Sequence, residues 1–213
     1  MPDLNFLDIA ILLLALFISI IGHEVMHGLS ALYYNDTSAR DDGRLSINPI
    51  KHIDIFGSII IPLAMLFAKM PFLFGWAKPI NVNINMVIVS GGYKAAIVVA
   101  LSGIFYNFCL LLTSFIILNT IDVDYLGEYL FTFLVYILII NVVLVIFNLI
   151  PIPPLDGSRA LEYAFLHFKI NYLSRFYRKI EKFGLFIIFI IMFIPRDFNI
   201  VFIVINYMLK ELL

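Results

Sequence analysis

The stretch Ile21-Gly22-His23-Glu24-Val25-Met26-His27-Gly28 closes an almost wholly apolar run that begins at Leu4. On a helix His23 and His27 stand four apart on one face and can both reach one metal ion. Glu24 lies about 100° round the axis, placed to take a proton from water beside that metal. With 4 His in 213 residues, chance produces this spacing in only about two such chains per thousand. The competing reading is an amphipathic helix with two surface histidines, which suits a soluble chain. Here the polar cluster would sit at membrane depth, where ionisable groups are costly and by default functional, so the motif reads as a zinc site.

Composition sets the class. The chain is 62% hydrophobic and 14% charged, with a mean hydropathy of +1.02 and 21 Phe, which describes an integral membrane protein. We expect an all-α polytopic fold of about five or six membrane helices with a small membrane-associated β element. Residues 1–168 form the core in this reading. Residues 169–213 add a basic connection and C-terminal membrane helices of the same domain, with no room for an added soluble module. The net charge of −1 comes with no Lys/Arg stripe of the kind nucleic acid requires, and the single Cys109 excludes an internal disulfide. The first apolar run lacks a basic leader and continues into the metal motif, so it reads as a retained helix rather than a signal peptide.

Taken in order, residues 4 to about 33 predict one continuous helix, broken by Asn35 to Asp42. Arg44 to Ile50 alternates polar and apolar and predicts a short strand. Ile53 to Phe67 is apolar but interrupted by Gly57 and Pro62, which suits a kinked helix or a re-entrant segment. Met70 to Ala77 reads as an aromatic turn at the membrane interface. In Ile80-Asn81-Val82-Asn83-Ile84-Asn85-Met86 the period of two predicts a strand. Its edge could take an extended substrate through Asn81, Asn83 and Asn85, or it could be a plain surface hairpin. Residues 95–118 and 129–150 predict two clean spans around an acidic loop with Asp122, Asp124 and Glu128. Beyond them, 183–194 and 199–213 read as one bent span or two short membrane helices, for packing or an oligomer contact.

The segment Pro151-Ile152-Pro153-Pro154-Leu155-Asp156-Gly157 cannot be a regular helix. Such backbone is tolerated at membrane depth only where it lines a buried or wet cavity. Asp156 is therefore the candidate third ligand, since catalytic zinc commonly keeps three protein ligands and an open position. A plain turn residue before Gly157 is the competing reading. His52 and His167 lie near charged stretches and read as interfacial.

These motifs together resemble the site-2 protease family of intramembrane zinc metalloproteases. The resemblance rests on His23-Glu24-Val25-Met26-His27, Asn48 through Asp54, Gly75-Trp76-Ala77-Lys78-Pro79 and Asn148 through Gly157, in that order and spacing. It covers roughly residues 10 to 165 and is strongest to compact prokaryotic members without peptide-binding or nucleotide-sensing domains. It implies one zinc per chain held by His23, His27 and Asp156, with Glu24 as general base and Asn148 holding substrate or oxyanion. It also implies a membrane-protein substrate with a transmembrane segment, cleaved within or beside the bilayer of a prokaryotic cell. Two positions depart from the family pattern, Ile104 where many members carry proline and Ser158 where a second glycine is frequent. Lys169, Arg175, Arg178, Lys179 and Lys182 place the 169–182 connection in the cytoplasm by the positive-inside rule, and the active site toward that side. The rival class is a divalent-cation binder or transporter using the same cluster without hydrolysis. The sequence shows one ionisable cluster and no internal repeat, where a transport path asks for more.

Overall fold

The computed structural model describes residues 6–67, 75–194 and 199–212. Most of the expected aromatic turn at Met70–Ala77, and the break at Pro195-Arg196-Asp197, lie outside the described residues. Helix α1 runs Phe6–Tyr33. It stops where Asn35 takes a left-handed conformation, φ 66°, with the Asp36 amide returned to the Ala31 carbonyl. A helical turn, α2 (Ser38–Asp41), a 3₁₀ turn Pro49–His52 and a π-helical turn Ile55–Ile60 lead into α3, Ile61–Phe67.

The long α4 (Ile84–Thr120) is broken at Gly92, whose φ of 69° and ψ of −169° leave the helical region, a conformation only glycine takes readily. A turn, α5 (Val123–Leu126), leads to α6, Glu128–Leu149. The irregular loop 150–155 holds a cis Pro153–Pro154 peptide. Then follow α7 (Asp156–His167), α8 (Asn171–Glu181), α9 (Gly184–Phe193) and α10 (Ile200–Leu212).

Three helices are long and apolar enough to cross a membrane: α1, α4 and α6, of 28, 37 and 22 residues. The expected five or six are not reached at that length among the described residues. Helices α9 and α10 have 10 and 13 residues, short of the roughly 20 needed for a full crossing. The spans form a bundle with α4 at its centre, touching α1, α6 and α7. Its inward face is small, with Ala95, Ala96, Val99, Ala100 and Gly103 buried. Close backbone approach is how helices gain contact when lipid removes the hydrophobic drive between them.

The expected β element is corrected. No strand forms among the described residues. The 44–50 run ends in the 3₁₀ turn because Asn48 caps it, accepting from the Ile50 amide, with Pro49 next. In the Asn-rich run, Asn83 caps α4, so Ile84 to Met86 are already its first turn. Residues 76–83 stay irregular, and side chains and loops take up their backbone groups. The Lys78 amide donates to the His52 carbonyl, and Arg44 Nη2 donates to the Lys78 and Pro79 carbonyls. The Ile80 amide goes to Glu24 and the Asn83 amide to Asp36. Alternation of Asn with apolar residues thus marked a strap pinned by carboxylates.

Candidate metal centre

His23 and His27 face α4 from the second half of α1, and Asp156 reaches them from the first turn of α7. His23 Nε2 and His27 Nε2 are 3.1 Å apart, and Asp156 Oδ2 stands 3.0 Å from the first and 3.2 Å from the second. Among the described residues these three are the His, Cys, Asp or Glu group that could hold an ion. Ligand atoms about 2.0–2.1 Å from a tetrahedral zinc stand roughly 3.3 Å from one another, so the spacing fits within a few tenths of an ångström.

The other ring nitrogens fix the tautomers. His27 Nδ1 is 2.7 Å from the Val99 carbonyl, which can only accept, so Nδ1 carries the proton. Asn107 Nδ2 donates to the Ser19 carbonyl and to Asn141 Oδ1. Its oxygen must therefore face His23 Nδ1, which again donates. In both neutral rings Nε2 is left with a bare lone pair. Asp156 Oδ2 meets both lone pairs at hydrogen-bond distance with no proton between them. Two lone pairs and a carboxylate oxygen converging on one point are a donor set for a cation.

Asn107, Asn141 and Ser19 are each 0% exposed and close a network across three spans. Asn141 Nδ2 donates to Ser19 Oγ and to the Ile137 carbonyl, so both carboxamides spend both donors and their oxygen. Gly103 walls the centre on the α4 side. A Cβ there would come within 2.5 Å of His27 Nε2 and 2.7 Å of His23 Nε2.

None of these four positions was assigned a role from sequence. The available signal was a few uncharged polar residues, Ser19, Asn107 and Asn141 among them, in otherwise apolar spans, together with the need of a metal-bound imidazole for an acceptor on its far nitrogen. Asn107→Leu removes that acceptor and strands Asn141. We expect zinc affinity to fall about 10- to 100-fold, read by competition against a chromophoric chelator, with a lowered melting temperature in the metal-free protein as well.

The remaining expected site residues divide. Glu24, beside His23, turns its carboxylate to the strap, where Oε2 accepts from the Ile80 amide at 3.0 Å. The Asn148 amide donates to Leu144 of its own helix at 3.0 Å, and its backbone carbonyl lies against Gly157. That places it at the mouth of the Asp156 loop without contact to the cluster through its amide. Asn81 Nδ2 reaches Asp42 at 3.4 Å, while Asn83 and Asn85 line a shallow hollow of about 440 Å³ with Asn35 and Ser90. His52 is buried, donating Nε2 to the Ser46 carbonyl, so it ties the loop before the strap rather than lying at an interface.

The profile of peptidase family M50 matches residues 122–194, which include α6, the proline loop and Asp156. Over 157 residues the chain is 34% identical to the Bacillus subtilis (strain 168) protein named "Putative zinc metalloprotease YwhC", covering 71% of this chain and 67% of that one. The chain belongs to peptidase family M50, the site-2 protease family. No solved structure matches it. The M50 profile stops short of the histidine motif, and the fold brings His23 to the ligand 133 residues further on. An M50 peptidase with three span-length helices and a partly buried His/His/Asp cluster is a membrane metalloprotease.

Proposed function

We propose that the chain is an intramembrane zinc metalloprotease that cleaves peptide bonds within or beside a transmembrane segment of membrane-protein substrates. The convergence of His23 Nε2, His27 Nε2 and Asp156 Oδ2, with Glu24 one residue from the first ligand, carries the reading. When bound, one zinc per chain would supply the Lewis acidity that ionises water near neutral pH and polarises a carbonyl.

The rest is work for the chain. Glu24 takes the proton from the attacking water and returns it to the leaving amine. Its bond from Ile80 fixes one carboxylate oxygen and leaves the other for that exchange. Asn148 would break from Leu144 and donate its amide to the developing oxyanion. The strap would hold a locally unwound substrate, with Asn81, Asn83 and Asn85 as side-chain contacts. Since the Ile80 and Asn83 amides are committed to Glu24 and Asp36, backbone pairing with substrate falls to the groups between and beyond them. The three spans around the cluster would supply the water exclusion, and the proline loop a wet entry.

In this reading residues 1–168 are the proteolytic core and 169–213 complete the same domain. The basic connection supports a multi-pass orientation in a prokaryotic membrane with the centre toward the cytoplasm. The C-terminal helices are the surface for any contact between copies. The test is cleavage of single-span substrates by purified protein in bilayers. Activity is expected to vanish with a strong chelator and return with zinc at about one equivalent per chain. Cleavage that survives complete metal removal would overturn the reading.

A further inference from the structure

Helix α8, its C-cap Lys182 and the adjoining Phe183, which caps the start of α9, sort their side chains by face. The inner face is fixed to the protein body. Arg178 Nε pairs with Glu162 of α7 at 3.0 Å, Ser174 Oγ donates to the same carboxylate, and the Tyr177 ring meets Phe165. The Tyr177 hydroxyl donates to the Pro151 carbonyl at 3.3 Å. Glu162 is thus spent inward, and Glu181, though exposed, falls by helical spacing on the side of α8 opposite Tyr172 and Phe176.

The outer face is cationic and aromatic. Arg175, Lys179 and Lys182 are exposed, as are Tyr172, Phe176 and Phe183, at 72%, 55% and 54%. At 3.6 residues per turn the aromatic residues fall within a narrow arc, with the three cations along one edge of it.

Depth follows from continuity. Gly184 opens α9, whose sequence through Phe193 is wholly apolar apart from that glycine. A Cβ at Gly184 would come within 1.9 Å of the Pro153 carbonyl, so the chain enters α9 in contact with the loop before Asp156. A rigidly docked helix immediately before an apolar one, with rings on its outer face and cations along their edge, has the form of a helix lying in the plane of the interface.

We propose that α8 lies in the membrane–water interface and binds the phosphates of anionic lipids through Arg175, Lys179 and Lys182, with Tyr172, Phe176 and Phe183 seated at the headgroup–acyl boundary. Opposite charge fits this occupant. Zwitterionic headgroups carry a phosphate but offer no net attraction.

The full chain in detergent, titrated with phosphatidylglycerol or phosphatidylcholine and read by native mass spectrometry, tests this. Wild type is expected to bind phosphatidylglycerol more tightly. Arg175→Gln, Lys179→Gln and Lys182→Gln are each expected to weaken that binding about fivefold, with phosphatidylcholine binding and the melting temperature unchanged. Arg40→Gln, removing a cation already paired with Asp41, is expected to change neither. Equal affinity of wild type for the two lipids, or unchanged phosphatidylglycerol binding in all three variants, would overturn the proposal. So would a triple variant that keeps its lipid preference but changes oligomeric mass, which would assign the face to a second copy of the chain.

Discussion

Glu24→Gln is expected to lower the cleavage rate about 10²- to 10⁴-fold, the range a positioned general base contributes, while the chain keeps its zinc. The substitution isolates one property. Glutamine has the same length, and its carbonyl oxygen can still accept from the Ile80 amide that holds Glu24 at 3.0 Å. The strap therefore stays pinned, and His23, His27 and Asp156 are untouched. What is lost is the capacity to carry a proton from water to the leaving amine. Cleavage measured beside metal content separates the cases. Zinc retained with activity lost assigns the base, and zinc lost with activity lost would make Glu24 a support of the metal centre instead. A rate equal to wild type would remove Glu24 from the chemistry and end the hydrolytic proposal.

The parts of this protein that sequence reveals are those where one residue type carries one constraint. That His23 and His27 share a face was readable because helical spacing alone puts them there. That Asp156 comes to them was readable because three prolines in Pro151 to Pro154 forbid helix, which made the carboxylate after them the candidate to line a polar cavity. Spans α1 and α6 followed from length and hydropathy with boundaries close to those expected, whereas α4 ends near the expected 118 but begins at Ile84, inside the run read as a strand.

The failures share another cause. The run Ile80 to Met86 alternates like a strand, but what its amides bond to is decided by Glu24 and Asp36, more than forty residues earlier in the chain. A period of two cannot distinguish a partner strand from two distant carboxylates. Likewise an asparagine such as Asn141 is one polar residue in an apolar helix until α1 and α4 bring Ser19 and Asn107 to it. Partners distant in sequence set these roles, and only their assembly displays them. The short apolar pieces α9 and α10 mislead in a third way. Hydropathy counts them toward membrane helices, whereas their lengths do not let either cross alone.

Asp156→Ala is expected to abolish stoichiometric zinc binding and leave the fold largely intact. Apparent affinities of folded zinc sites correspond to about 10–16 kcal/mol; shared over three ligands, this makes one ligand worth about 10²- to 10⁴-fold. The third ligand here also has a geometric role. Asp156 Oδ2 is the atom that both Nε2 nitrogens face, at 3.0 and 3.2 Å, and it comes from α7, whereas the histidines share α1. Without it, two neutral imidazoles one helical turn apart remain, held in place by Asn107 and the Val99 carbonyl. That pair can bind a divalent ion only weakly, and buffer water would complete the shell. Metal analysis after purification is expected to give about one zinc per wild-type chain and close to none for Asp156→Ala or His23→Ala. Melting temperature in excess chelator should be little changed by Asp156→Ala, because removing the carboxylate relieves a buried anion that has no cation to meet it in the metal-free state. Full zinc retained by Asp156→Ala would show that the two motifs, though adjacent in the fold, do not form one centre, and with that the open coordination position required for hydrolysis would lose its basis.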